Sequence, residues 1–275
     1  MSVFYHTSAK SHDTSNNIQQ HKAIAQAKEQ HQRELQEKTA KRLRYEFANA
    51  LPAPNSHPYL ESKKISMKHI NVKVDRFNNL LIPLRDVNGK MQSLQRIMPN
   101  GSKIYGVIKT EQERQNNEEF LAKKKGLFFT QRPLEEHSEF FVCEGFASAM
   151  SMSEILGKPS VAAMDCGNLL NVCDELVSKY PHKQITICAD NDVKKEAQGK
   201  RNAGMEAAMA CQEKYPQIRI IYPQCKSSEM GSVSDFNDLV NLRGIEAVRV
   251  EVERQLGERI IERIHKSKSK DDFER

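Results

Sequence analysis

Glu144, Asp190 and Asp192 are the residues of this 275-residue sequence whose types and spacing best suit chemistry. Glu144 closes the short apolar run Phe140-Phe141-Val142-Cys143, and Asp190-Asn191-Asp192 closes a second, Ile185-Thr186-Ile187-Cys188-Ala189. Both runs have the length and flanks of buried strands, and a helical pattern follows each. Acids that end two strands of a parallel sheet stand at its carboxyl edge, where open α/β sheets bind their ligands. Three carboxylates meeting there repel one another unless a cation sits between them. Oxygen-only ligation suits a hard ion, so the expected cofactor is Mg²⁺, with Mn²⁺ as a substitute. Taken singly, Glu144 reads as a helix-start carboxylate and Asp190-Asn191-Asp192 as a turn. The conjunction in one α/β unit is what points to metal.

Asp235 and Asp238, in Ser234-Asp235-Phe236-Asn237-Asp238, are further candidates for the metal site. Ser234 is the expected N-cap of the helix that follows, which puts both acids in its first turn. Asp165 also follows a strand pattern, but Gly167-Asn168 favours a structural turn there. Six cysteines lie at 143, 166, 173, 188, 211 and 225 without a C-x-x-C pair, as expected of reduced, partly buried residues and not of zinc. The nine histidines are scattered, and none is assigned to a metal. No run approaches a membrane span and the first twenty residues lack a signal-peptide core, so the expected location is the cytoplasm.

Charge divides the chain. Residues 1–138 hold 23 Lys+Arg against 14 Asp+Glu, and residues 139–275 hold 19 against 22. A basic half beside an acidic site suits a polyanionic partner held near metal.

The positioning elements follow from periodicity. A polar helix is expected over 17–50, docked by Leu43, Phe47 and Leu51, after a disordered start over 1–16. A hairpin is expected over 79–98, with Asn88-Gly89 suited to a type I′ turn, then a short strand at 103–106. Residues 110–125 read as a charged helix or loop. Beyond 136, strands near 140–143, 160–164, 185–189 and 217–222 alternate with helices near 146–157, 168–180, 202–215, 235–242 and 244–265, which predicts a parallel sheet. The charged last dozen residues are expected to fray.

These residues resemble a known family. Glu144-Gly145-Phe146-Ala147-Ser148-Ala149 is similar to the E-G-Y-A-T-A signature of plasmid- and phage-encoded DNA primases. Ile187-Cys188-Ala189-Asp190-Asn191-Asp192, followed by Asn202-Ala203-Gly204, resembles the second signature of the Toprim domain, shared by bacterial-type primases, topoisomerases and some nucleases. The resemblance covers roughly 40–245. It implies an α/β fold: a polar tail and helix (1–50), a smaller basic α+β domain (51–135), a Toprim parallel-sheet domain (136–245) and a C-terminal helix and tail (246–275).

The resemblance also implies roles. Glu144, Asp190 and Asp192 become the catalytic acids, with Asp235 and Asp238 as further metal-site acids, and Glu144 either ligates metal or moves a proton. Arg85, Arg96 and Lys103 match basic residues that line the groove for template and nucleotide in such primases, although Ile104 is inserted in what is there a Lys-Tyr strand. Lys194, Lys195, Lys200 and Arg201 form a basic insertion suited to phosphate. The implied activity is synthesis of short RNA primers on single-stranded DNA from ribonucleoside triphosphates. No zinc-ligand spacing and no P-loop occurs in the sequence, so a separately encoded helicase or template-recognition subunit is the implied partner. A Toprim nuclease, and a non-catalytic single-strand-binding module, are the alternative readings.

Overall fold

The structure, a computed structural model, describes residues 9–66, 70–229 and 231–257. It opens with one long helix, α1 (Ala9–Asn49), which spans part of the region expected to be disordered. A five-stranded antiparallel sheet follows, made of β1 (Leu51–Pro52), β2 (Lys73–Val74), β3 (Leu80–Arg85), β4 (Met91–Ile97) and β5 (Lys103–Tyr105) in that spatial order. A short helix α2 (Pro58–Ser62) lies between β1 and β2, and α3 (Glu111–Gln115) follows β5 with a Thr110/Glu113 capping box.

The second sheet contains β6 (Phe129–Thr130), β7 (Glu139–Cys143), β8 (Ser160–Ala162), β9 (Gln184–Cys188) and β10 (Arg219–Ile221), in the order β10-β9-β7-β8-β6. Every pairing in it is parallel except β6 with β8. Helices α4 (Phe146–Leu156), α5 (Cys166–Lys179), α6 (Val193–Ala197), α7 (Ala203–Lys214) and α8 (Phe236–Arg243) link or flank its strands, and residues 245–257 are helical. The strands and helices expected beyond 136 are all present, with their described ends within two residues of the expected bounds. The rest of the last helix, and the charged tail, lie outside the described residues.

Three local expectations are corrected. Gly89 adopts φ +81° but Asn88 is not left-handed, so the hairpin does not turn through type I′. Instead the Asp86 carboxylate accepts from the N–H groups of Asn88 and Lys90, and a bulge at Leu84/Arg85 absorbs the extra residue. Leu51 is exposed because α1 stops at Asn49, whereas Leu43 and Phe47 are buried as expected. The second sheet begins at Phe129, ahead of residue 136, since β6 completes its edge.

Alternation along β3 and β4 divides the first sheet between two cores. Leu80, Ile82, Leu84 and Ile97 share a core with Phe141, Phe146 and Met150 of the second half. Leu81, Leu94 and Met91 pack on Leu43 and Phe47 of α1. Period-two geometry thus makes the sheet a middle layer, with each buried Leu, Ile or Phe contributing about 1.5–3 kcal/mol. An antiparallel bridge between Arg85 and Phe128 joins the two sheets through the backbone.

Candidate active site

Residues Phe140 to Cys143 pair in parallel register with Ile185 to Cys188, so Cys143 stands beside Cys188. Glu144 is one residue beyond that edge and Asp190 two. Their strands are adjacent, so both acids leave the sheet at one edge.

The turn carrying the aspartates is built, not loose. Asp192 N–H donates to Asn202 Oδ1 (3.1 Å), and Asn202 Nδ2 donates to Asn191 Oδ1 (2.8 Å). Asn191 N–H donates to the carbonyl of Ser234 (2.7 Å), which brings the Asp235 segment against the same rim. Gly204 permits the approach of α7: a Cβ there would lie 2.7 Å from the Asp190 carbonyl oxygen. The sequence motif carries Asn202 and Gly204 but not their purpose. The structure gives one residue a brace and the other a close contact.

Asp235, and not Ser234, caps α8, accepting from Asp238 N–H at 2.8 Å. Asp238 accepts from Ser234 and pairs with Lys63 at 3.3 Å. Enclosure, then the charges of Glu144, Asp235, Asp192 and Asp238, push Asp190 up to about 9. Burial also raises Glu144, with Asp165 and Asp192 adding to it, while the Cys166 N–H and Lys103 oppose the rise. Asp235 is raised chiefly by burial and by Asp238.

Among the described residues, the enclosed Asp190 Oδ1 has no hydrogen-bond partner, and Ser148 lies against Asp235 at the same rim. Among the described residues, no three His, Cys, Asp or Glu side chains stand closely enough to cage an ion by themselves. An orphaned carboxylate oxygen amid further acids fits Mg²⁺, which keeps several waters and takes only one or two protein carboxylates. It does not fit zinc, which prefers nitrogen and sulfur in a closed tetrahedron.

The expected basic residues separate. Lys103 pairs with Ile97, whose side chain faces the second half, and its charge reaches Glu144. The inserted Ile104 explains itself here: alternation puts Lys103 and Tyr105 on the same face, towards the acids. Tyr105 Oη donates to Asp165 Oδ2 (3.2 Å), and Lys124 pairs with the same carboxylate. Asp165 also caps α5, the structural role expected of it.

Arg96 is a correction. It is 1% exposed and makes two bonds to Glu46 (2.6 and 2.8 Å), with Asp75 at 3.4 Å and the Gly106 carbonyl at 3.1 Å. With its donors taken up by these partners, the guanidinium is not free to grip template phosphate. Arg85 sits at the hairpin end, donating to the Gly89 carbonyl. Register puts Lys103 opposite Ile97 and Leu80, so Arg85 is about 17 Å further along the sheet from it. In the basic insertion, Lys195 pairs with Asp192 (2.6 Å) and Arg201 Nε with Glu206 (2.8 Å). Lys194 reaches Gly231, and Lys200 is exposed.

Residues 139–246 match the family described as Toprim domain, so the half that carries the acid rim is a Toprim domain. The chain as a whole is similar to plasmid-type DNA primases. It is 31% identical over 183 residues to an Escherichia coli DNA primase TraC, covering 65% of this chain and 12% of that protein. A second Escherichia coli DNA primase TraC is 30% identical over 175 residues, covering 62% and 15% respectively. The chain thus spans a small part of the length of these curated relatives. In fold, it is similar to a DnaG catalytic core, with a TM-score of 0.52 at 14% identity, over 80% of this chain and 79% of that one.

Proposed function

We propose that this chain is a primase catalytic core that synthesises short RNA primers on single-stranded DNA. The observation that carries this reading is the pairing of β7 with β9, which brings Glu144 and Asp190 out at one edge of the sheet, where the charge of Lys103 from the first sheet acts on Glu144. We place the divalent ion, Mg²⁺ or Mn²⁺, on Asp190 and Asp192, with Asp235 next to them. Asp238, engaged by Lys63 and Ser234, supports this set from behind. When bound, such an ion lowers the pKa of an attacking 3′-hydroxyl and neutralises charge developing at the α-phosphate.

The chain's own residues supply the rest. Glu144, raised by burial, is suited to taking the hydroxyl proton at its carboxylate or to holding a water beside the ion. Lys103 orients the triphosphate against the acid rim by charge. Lys194 and Lys200 lie in the insertion after Asp192 and attract backbone phosphate, whereas Lys195 and Arg201 are engaged by neighbouring acids. Tyr105, Lys124 and Asp165 fix β5 against α5, so Lys103 keeps its position over the rim.

Template single-stranded DNA and ribonucleoside triphosphates are the proposed ligands, and a helicase or template-recognition subunit encoded elsewhere is the proposed partner. Six free cysteines suit the cytoplasm. No helix among the described residues is long and apolar enough to cross a membrane.

The test is direct. Single-stranded DNA, four ribonucleotides and Mg²⁺ or Mn²⁺ should yield short oligoribonucleotides, and Glu144→Gln and Asp190→Asn should abolish them while the fold persists. Undiminished synthesis by both variants would remove the catalytic assignment, and cleavage of the DNA without nucleotides would establish a nuclease in its place.

A further inference from the structure

A cleft of about 770 Å³ lies on the α1 side of the first sheet, and none of the acids of the rim lines it. Tyr45 and Phe77 both line it, at 69% and 61% exposure, and among the described residues they are the only aromatic side chains left exposed. A single exposed ring is ordinary, but here two from distant parts of the chain share one cleft.

Their display is enforced. Phe77 stands in a turn where Asp75 Oδ1 accepts from the N–H groups of Phe77 and Asn79, both at 2.9 Å, and Asn78 holds φ +58°. The other Asp75 oxygen accepts from Asn79 Nδ2 and lies 3.4 Å from Arg96. Arg96 is also bonded to Glu46, the residue after Tyr45 on α1. One buried guanidinium therefore ties together the two elements that carry the rings, which preorganises them and lowers the ordering cost of any ligand between them.

The cleft is cationic as well as aromatic. The Arg76 guanidinium lies 4.7 Å from the centre of the Phe77 ring, and Arg42, Lys109 and Arg114 line the walls. Lining arginines and lysines outnumber the lining acids Glu46, Asp75 and Glu111. Exposed rings interleaved with arginine and lysine form the chemistry that holds single-stranded nucleic acid: bases stack on the rings while cations follow the phosphates.

We propose that the Tyr45–Phe77 cleft is a binding site for single-stranded nucleic acid, separate from the acid rim, with Arg96 as its positioning residue. It takes bases by stacking, without reading sequence, and holds strand on the face of the sheet opposite the Toprim domain. This site does not depend on the catalytic reading, because it uses neither the acids nor metal.

The test uses the full chain and fluorescein-labelled oligo(dT) of about 20 nucleotides in EDTA, followed by anisotropy. Tyr45→Ala and Phe77→Ala should each weaken binding about tenfold, within the range found for loss of a stacking ring. Tyr45→Phe and Phe77→Tyr, which keep the rings, should restore it. Oligonucleotides carrying 5-bromodeoxyuridine should crosslink on irradiation to Tyr45 or Phe77, as mapped by mass spectrometry. Binding is read in EDTA without nucleotides, so failure of primer synthesis leaves this proposal standing. Unchanged affinity in a folded Tyr45→Ala/Phe77→Ala variant, with crosslinks confined to the acid rim, overturns it and leaves the cleft to a protein partner.

Discussion

Asn202 Oδ1 accepts the backbone N–H of Asp192 at 3.1 Å, so a residue at the start of α7 holds the turn that ends β9. The acids are thereby placed by hydrogen bonding in addition to the strand register. Replacing Asn202 by alanine strands the Asp192 N–H in a largely enclosed place. The expected cost is about 1–3 kcal/mol, read as a lower Tm, together with a higher Mg²⁺ requirement for primer synthesis. Wild-type values for both would show that the turn holds itself.

Arg96 makes a sharper case, since its sequence context suggested contact with template and its position denies it. Arg96→Ala leaves Glu46 and Asp75 without their buried partner, and such a loss costs about 3–5 kcal/mol. Chemical denaturation should therefore show a large drop in stability. A variant of native stability that had lost only its nucleic-acid affinity would restore Arg96 to the groove.

Arg243 pins the segment beyond β10 by pairing with Glu229 and with Glu251 (2.5 Å). Its guanidinium, with the Lys226 N–H, holds Glu229 down to about 2, below the usual 4.5. A depressed carboxylate stabilises the fold in full above about pH 4.5 and loses that contribution as pH falls towards 2. Thermal melts between pH 6 and pH 3 should show wild-type Tm falling towards that of Glu229→Gln, the gap closing with acid. A constant gap across that range would mean that the pair contributes by packing alone.

How much of this was legible in the sequence varies with the length scale of the cause. The strands at Phe140 and Ile185 were readable because apolar runs and acidic ends are local. Their adjacency was not, because alternation predicts a parallel sheet but not that β9 pairs with β7 past the intervening β8. Arg96 was misread because only the tertiary partners Glu46 and Asp75, remote in sequence, decide whether an arginine faces solvent or core. Asn88-Gly89 was assigned the wrong turn because Asp86, two residues earlier, supplied side-chain bonds that a dipeptide signal ignores. Tyr45 lies two residues from both Leu43 and Phe47, on the face of α1 turned away from their core, and the exposure of Phe77 became visible only when the Asp75 turn was seen to hold it outward.

Binding of Mn²⁺, followed by loss of its free electron paramagnetic resonance signal, tests most directly whether Glu144, Asp190 and Asp192 form one cation site. Wild-type protein should deplete the signal saturably. Asp190→Asn and Asp192→Asn should each weaken that depletion about tenfold or more while leaving the fold intact, a loss at least as large as that from altering a supporting residue around a metal. Depletion of equal affinity in wild type and both variants would contradict the account, because acids that hold no ion together have no shared chemistry at the rim.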